Sequence, residues 1–299
     1  MNYKKIIKSQ RARLQILSLL RWMPDSIMLR LQYRIKTGIW PNFNKPKRFT
    51  EKLQLYKMYY HNPLLPKCVD KYEVRQYVKE RGLGWTLNDI YGVYNTVSEI
   101  DFDSLPSQFV IKSTTGGGGL NVIVVKDKKS FNMDTVKEKA ESWVKGNIKV
   151  NPGREWAYDN VVNSRVLVEK YLQDPERGDL VDYKFFCFNG KVKFLYVISD
   201  RKSGEYAYLG VYDTSFNKLP VYRCDERRSE KVENRPKNFD KMLKVAELLS
   251  SDFPHVRVDL YNIDGTIFFG ELTFYDGSGY FHYEPDSFDF EAGSYFTEY

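Results

Sequence analysis

An α+β architecture of two lobes is the fold class that this 299-residue sequence predicts. Three observations lead there. Helical periodicity and period-two strands alternate without the regular strand–helix–strand rhythm of a doubly wound parallel sheet. Two stretches read as β-hairpins, Tyr183 to Ile198 turning at Asn189-Gly190 and Val256 to Phe274 turning near Asp264-Gly265. Between two further β-rich stretches stand four consecutive glycines, Gly116, Gly117, Gly118 and Gly119. Ordering glycine loses more backbone entropy than ordering any other residue, so such a run implies a ligand that side chains would obstruct, or else a plain flexible loop.

The first element, residues 1–48, carries the basicity. It holds twelve lysines and arginines against the single acid Asp25, a surplus of eleven; with the chain at +7, the remaining 251 residues carry −4. A nucleic-acid binder spreads charge over its working face, so no nucleic-acid partner is expected. Leu, Ile, Trp and Met alternate here with spaced Arg and Lys, which predicts a basic amphipathic helical segment. Such a segment either packs on the body with its basic face in water or lies on an anionic inner-membrane surface. Its longest uncharged run, Leu14 to Leu20, falls well short of the roughly 20 apolar residues that span a bilayer. No small-residue cleavage site follows a clean apolar core, which predicts a cytoplasmic protein, peripheral at the inner face of the membrane if the basic segment binds there. Cys68, Cys187 and Cys224 are scattered and odd in number, which fits a reducing compartment and argues against structural zinc.

An apolar share of 42% predicts a packed body from 49 to 299. Helices are expected from Thr50 to Tyr60 and from Asp70 to Arg81, with Gly82 and Gly84 as stops. Strands at Gln108–Ile111 and Asn121–Val125 flank the glycines, a helix follows from Met133 to Lys145, and Val166 to Leu172 is a short buried strand. Another helix runs from Asp240 to Ser250.

A P-loop places its lysine after the glycines and then starts a helix. Here Lys112 precedes them and a strand follows. A strand, flap and strand can instead close over a triphosphate, backbone N–H groups meeting phosphate oxygens while Lys112 supplies a fixed charge. In the last hairpin, a type I turn with a G1 bulge at Asn262-Ile263-Asp264-Gly265 would pair Asn262 with Thr266. Counting back, Asp259 then pairs with Phe269, Arg257 with Glu271 and His255 with Thr273, all on one face. Val256, Val258, Leu260, Phe268, Gly270, Leu272 and Phe274 take the other. Two carboxylates beside an arginine make either a surface ion-pair network or a magnesium site completed by nucleotide phosphates.

With these residues in view, the chain resembles the ATP-grasp ligases. "VRVDLY…GELTF" looks like their metal-binding strands, "FVIKSTTGGGGLNVIVV" like their phosphate flap and "VLVEKYL" like the strand behind the adenine. More narrowly, "NKPKRFTEKLQLYKMYY", "DKYEVRQYV", "DYKFFCFNGKVKF" and "GELTFYDGSGY" together resemble the TupA-like ATP-grasp family of surface polysaccharide biosynthesis, from about Asn44 onward.

The resemblance implies two lobes with antiparallel sheets clasping ATP, a flap lobe over about 109–165 and a metal-binding lobe over about 166–299. Lys112 and Gly116 to Gly119 would hold phosphates, and Glu169, Lys170, Tyr171 and Leu172 would meet the adenine. Asp182, with Glu176 as rival, would hold the ribose. Asp259 and Glu271 would bind Mg²⁺, with Thr273 in place of the usual Asn as a weaker third ligand. Arg257 would steady the transferring phosphate, while Lys184, Arg201 and Arg223 are candidates for anionic substrates such as uronates. The implied activity is an ADP-forming carboxylate–amine ligase, joining an amine or amino acid to a free or lipid-linked sugar acid. Two other readings stand beside it. A sugar kinase or glycosyltransferase is one, although the chain has no His-Arg-Asp signature; a non-catalytic membrane scaffold is the other.

Overall fold

The computed structural model describes residues 9–116, 121–145, 151–161, 164–200 and 207–298. Gly117, Gly118, Gly119 and Arg201, all named above, lie outside them. Two helices open the chain, α1 (Gln10–Leu19) and α2 (Asp25–Thr37), the second ending on Gly38 at φ 78°. Met28, Leu29 and Tyr33 of α2 are buried, and the Tyr33 hydroxyl lies 2.8 Å from that of Thr50. This part of the basic segment packs on the body. Helix α3 (Phe49–Tyr59) follows; Glu51 in its first turn accepts the amides of Asn42, Lys47 and Arg48.

The helix expected from Asp70 to Arg81 begins only at Val74, as α5 (Val74–Glu80), and a separate short helix, α4 (Leu65–Val69), precedes it. Asp70 is the cause. Its Oδ1 accepts the amides of Tyr72 and Glu73, holding a turn where the helix was expected to begin. Gly82, at φ 70°, ends α5 as its sequence position suggested.

A four-stranded sheet has the order β1 (Ile90–Tyr94), β4 (Val166–Lys170), β2 (Phe109–Ser113), β3 (Val122–Val125), antiparallel throughout. It takes β1 and β4 from outside residues 109–165. Helix α6 (Met133–Lys145) covers one face through Val136 and Ala140.

A six-stranded sheet joins β5 (Asp182–Phe188), β6 (Lys191–Ser199), β7 (Tyr208–Tyr212) and, after the short β8 (Tyr222–Arg223) that lies outside it, a short β9 (Arg227–Arg228) to the hairpin β10 (His255–Ile263) and β11 (Thr266–Thr273). Its order is β11-β10-β5-β6-β7-β9, and only β7–β9 is parallel. Alternation along β5 explains its run of aromatic residues. Phe185 meets Phe239 of α8 (Phe239–Ser250), which comes after the one-turn α7 (Trp156–Asp159) in the chain, on one face, and Phe186 meets Phe49 of α3 on the other. Helix α9 (Ser287–Tyr295) presses on the start of α3 so closely that a Cβ on Gly293 would come within 2.1 Å of the Lys47 carbonyl.

The hairpin's register differs from the one expected. Ile263 pairs with Thr266 across a two-residue loop, Asp264 at φ 47° and Gly265 at φ 88°, the signs of a type I′ turn. The pairing then shifts between Leu260↔Phe269 and Asp259↔Glu271, leaving Gly270 as an unpaired bulge. Asp259 therefore faces Glu271, and Arg257 faces Thr273. The shift also moves Ile267 and Phe269 into the core, where Phe268 and Gly270 were expected. His255 leaves the polar group: it is buried among Phe49, Phe188 and Phe296, with ring centroids 4.6–5.0 Å away.

Candidate active site

Arg257, Asp259 and Lys184 share the sheet face that α3 covers at its His255 end, and they occupy the end α3 leaves open. There a cleft of about 2420 Å³ takes its walls from both sheets. Lys112, Val110, Val122 and Glu169 come from the small sheet, and Lys184, Asp259, Glu271 and Thr273 from the large one.

On the small-sheet side, Lys112 Nζ lies 2.7 Å from Glu169 Oε1. The pair follows from register: Val110 pairs with Glu169, so Lys112 is its diagonal neighbour on one face. Next to them is Lys71, whose amide donates to the Thr114 carbonyl and whose Nζ donates to the Gly116 carbonyl at 2.6 Å. Burial lowers the Lys71 ammonium below its usual range, against the pull of Glu271. Gly116, the first residue of the glycine run, is thus tied to α5's preceding turn by a cation that sequence reasoning missed. It lay within "DKYEVRQYV" with no pattern to separate it from a helix-surface lysine.

Glu169, Lys170, Tyr171, Leu172 and Asp182 all line the cleft. Lys170 has its backbone engaged, its carbonyl by Asn88 Nδ2 at 2.8 Å and its amide by the Asp89 carbonyl. Glu176 is exposed and away from the cleft, whereas Asp182 is buried in its wall.

On the large-sheet side the charges are interlocked. Arg257 grips Asp259 bidentately at 2.7 Å through Nε and Nη2, and reaches Glu271 at 3.3 Å and Thr273 at 3.0 Å. Its Nη1 pairs with Asp276, and Lys184 pairs with Asp259. Arg223 is likewise held by Asp276 and Asp225. Asp276, another residue missed from sequence, joins both arginines. Burial raises the Asp259 carboxyl above its usual range despite Arg257 and Lys184. Glu271 goes the other way: burial pushes it up, but Lys184, Lys71 and Arg257 outweigh that and hold it at about 2. Its side chain is 38% exposed and opens to the cleft, whereas that of Asp259 is 4% exposed.

Thr273 Oγ1 donates to Glu271 Oε1 at 3.0 Å, so its hydroxyl orients that carboxylate. Among the described residues no group of three His, Cys, Asp or Glu is placed to hold a metal ion. Asp259 and Glu271 nonetheless form a directly paired set of hard oxygen donors, which suits Mg²⁺ when phosphate and water supply the other ligands.

Two sheets, antiparallel but for one short edge pair, wall a cleft with Lys112 on one side and the facing carboxylates Asp259 and Glu271 on the other, which defines an α+β protein of two lobes. The chain belongs to the TupA-like ATPgrasp family, whose model matches residues 51–297. No curated protein matches it. Among solved structures it is similar to a D-alanine–D-alanine ligase from Bacillus anthracis complexed with ATP, at 18% identity over 69% of this chain and 55% of that one, TM-score 0.43. It is also similar to a D-alanine–D-alanine ligase from Helicobacter pylori, at 16% over 84% and 70%, TM-score 0.44. A third is an L-amino acid ligase from Bacillus licheniformis, at 15% over 77% and 49%, TM-score 0.46. The chain spans about half the length of the Bacillus anthracis ligase.

Proposed function

We propose that the chain is an ATP-dependent carboxylate–amine ligase that joins an amine or amino acid to a sugar acid, free or lipid-linked, in surface polysaccharide assembly. The observation that carries this reading is the cross-strand pairing of Asp259 with Glu271 in the cleft that Lys112 also lines. Membership of the family supports it.

A carboxylate is a poor electrophile, so the chemistry moves the γ-phosphoryl onto it and lets an amine displace phosphate. Lys112 and the flap glycines hold the phosphates, and Glu169 to Leu172 take the adenine, through the backbone of Tyr171 and Leu172 since that of Lys170 is engaged. Asp182 takes the ribose. Asp259 and Glu271 would hold Mg²⁺, which supplies neutralising charge to the phosphates when bound. Arg257, fixed on three sides by Asp259, Glu271 and Asp276, presents its charge to the transferring group without needing to reorganise. Lys184, held by Asp259, lines the same cleft and would be a further cation for phosphate or substrate oxygens.

The N-terminal helices fit a peripheral contact with an anionic inner-membrane surface. Leu19, Trp22, Ile27, Leu31, Ile35 and Trp40 are exposed there, interleaved with Arg21, Arg30 and Arg34. No helix among the described residues is long and apolar enough to cross a membrane.

A matrix of uronic acids against amino acids, read by nucleotide product, tests the reaction class. The ligase reading expects sustained ADP release, over many turnovers, only where carboxylate and amine are both present. ADP with a stable phosphorylated sugar, or AMP, would replace it with a kinase or an adenylating enzyme.

A further inference from the structure

The segment "YDGSGY" is unexplained by the nucleotide and metal roles. Ser278 sits there at φ 56° between Gly277 at φ 49° and Gly279 at φ 68°. Across the cleft wall Arg154, immediately before Glu155, is also left-handed at φ 52°. Two strained non-glycine residues at one place persist only where surrounding contacts over-determine them, and such places concentrate at functional sites.

What they hold together is a hydrogen-bonded chain ending in the cleft. Lys57, 1% exposed, donates to Gln54 Oε1 at 3.1 Å, to the Ser278 carbonyl at 2.6 Å and to Ser278 Oγ at 2.9 Å. Ser278 Oγ in turn donates to Glu155 Oε1 at 2.6 Å. The backbone of Glu155 is clamped from both sides by Asn151, whose Oδ1 accepts its amide at 3.0 Å while Nδ2 donates to its carbonyl at 2.7 Å. Gly153 leaves the space required: a Cβ there would come within 2.6 Å of Ser278 Oγ and 2.8 Å of Glu155 Oε1. The neighbouring cation is turned elsewhere, since Arg154 binds Asp25 and the carbonyls of Leu20 and Met23. Among the described residues Glu155 makes no ion pair, yet it lines the cleft together with Tyr158, Tyr275 and Ser278.

Glu155 lines the same cleft as Asp259 and Glu271, and so does the half-buried Tyr158, whose phenol is pushed up by burial first, then by the charges of both Glu155 and Glu271. Glu155 thus shares a cleft with Glu271, and because the Lys57 ammonium reaches it only through Ser278, the rigidly held carboxylate still has a charge to offer a cationic guest in that cleft.

We propose that Glu155, held by Ser278 and Lys57, is the charge partner of the incoming amine, which enters the cleft as an ammonium ion. This rests on the ligase reading for the amine's purpose, though the site itself does not.

Saturation-transfer NMR on the full chain separates the two. The probes are L-lysine, L-alanine, L-glutamate and ethanolamine, each beside its N-acetyl counterpart. At least one free amine is expected to bind, its acetylated form to fail, and Glu155→Gln to weaken binding tenfold or more, with Glu155→Asp recovering part of it. Gly153→Ala, which keeps every charge but crowds the Ser278–Glu155 contact, is expected to weaken binding too, and it decides the matter if Glu155→Gln does not fold. Absence of amine binding in the wild type, equal binding of acetylated probes, or indifference to both Glu155→Gln and Gly153→Ala overturns the proposal. An amine bound through Glu155 that supports no ADP release with any carboxylate leaves the subsite standing and removes the ligase reading instead.

Discussion

His255 shows how far a single residue's surroundings can shift its chemistry. It is fully buried in an aromatic cage, its Nδ1 lies 2.9 Å from the Cys187 carbonyl, and its Nε2 has no hydrogen-bond partner among the described residues. Burial therefore lowers its pKa to about 3, which outweighs the bond to Cys187. Between about 3 and 6.5 the unfolded chain binds a proton at this histidine that the folded chain does not, so stability rises with pH across that window and is lost as pH falls. Replacing His255 with Phe should flatten the acid limb by up to one proton, about 1.4 kcal/mol per pH unit. Urea midpoints measured from pH 4 to 7 check this, and an unchanged slope would place the acid sensitivity elsewhere. Lys112 is a second test at this scale. Its removal leaves Glu169 without this partner, and Lys112→Ala should weaken Mg-ATP binding by about 1.5–3 kcal/mol, as loss of a charge-assisted bond does, without unfolding the chain. Calorimetry giving unchanged affinity would move the phosphate site.

At the scale of elements, the last hairpin decides where the two carboxylates meet. Asp264-Gly265 makes the two-residue loop, and the extra residue is absorbed at Gly270, where a Cβ would approach the Asp259 carbonyl to 3.0 Å and the Tyr261 ring to 3.3 Å. Gly270→Val should destabilise the sheet by about 1–3 kcal/mol through overpacking and lower magnesium-dependent turnover by more than that loss explains. Denaturation midpoints and ADP formation, measured on the same variant, separate the two effects. The hairpin also marks what was legible beforehand. Alternation placed Arg257, Asp259, Glu271 and Thr273 on one face, but a bulge changes parity without changing composition, so the pairing was not readable. Lys71, Glu155 and Asp276 stayed hidden for another reason. Each gains its partners through contacts between segments far apart in sequence, and no local period reports those. The opening helices are an element with its own test. With Leu19 and Trp22 more than three-quarters exposed and Trp40 61% exposed, changing all three to Ser should reduce sedimentation with phosphatidylglycerol vesicles at least tenfold, since each apolar side chain contributes about 1.5–3 kcal/mol when buried. Equal sedimentation of both proteins would leave those helices as part of the body alone.

For the whole molecule, two antiparallel sheets bring together residues nearly 160 positions apart, from Lys112 to Glu271, around one cleft. The fold was readable as α+β from its hairpins and as this family from several separated motifs in order. The cleft itself was not, because it exists only once the sheets oppose each other. On the proposed reading the cleft activates a carboxylate by phosphorylation before an amine attacks it. Hydroxylamine supplied in place of the amine, with ATP, Mg²⁺ and a panel of uronic acids, tests that most directly. A hydroxamate formed in proportion to ADP, and strongly reduced by Glu271→Gln, is the predicted result. ADP accompanied by a stable phosphorylated sugar and no hydroxamate, or AMP as the product, would contradict it.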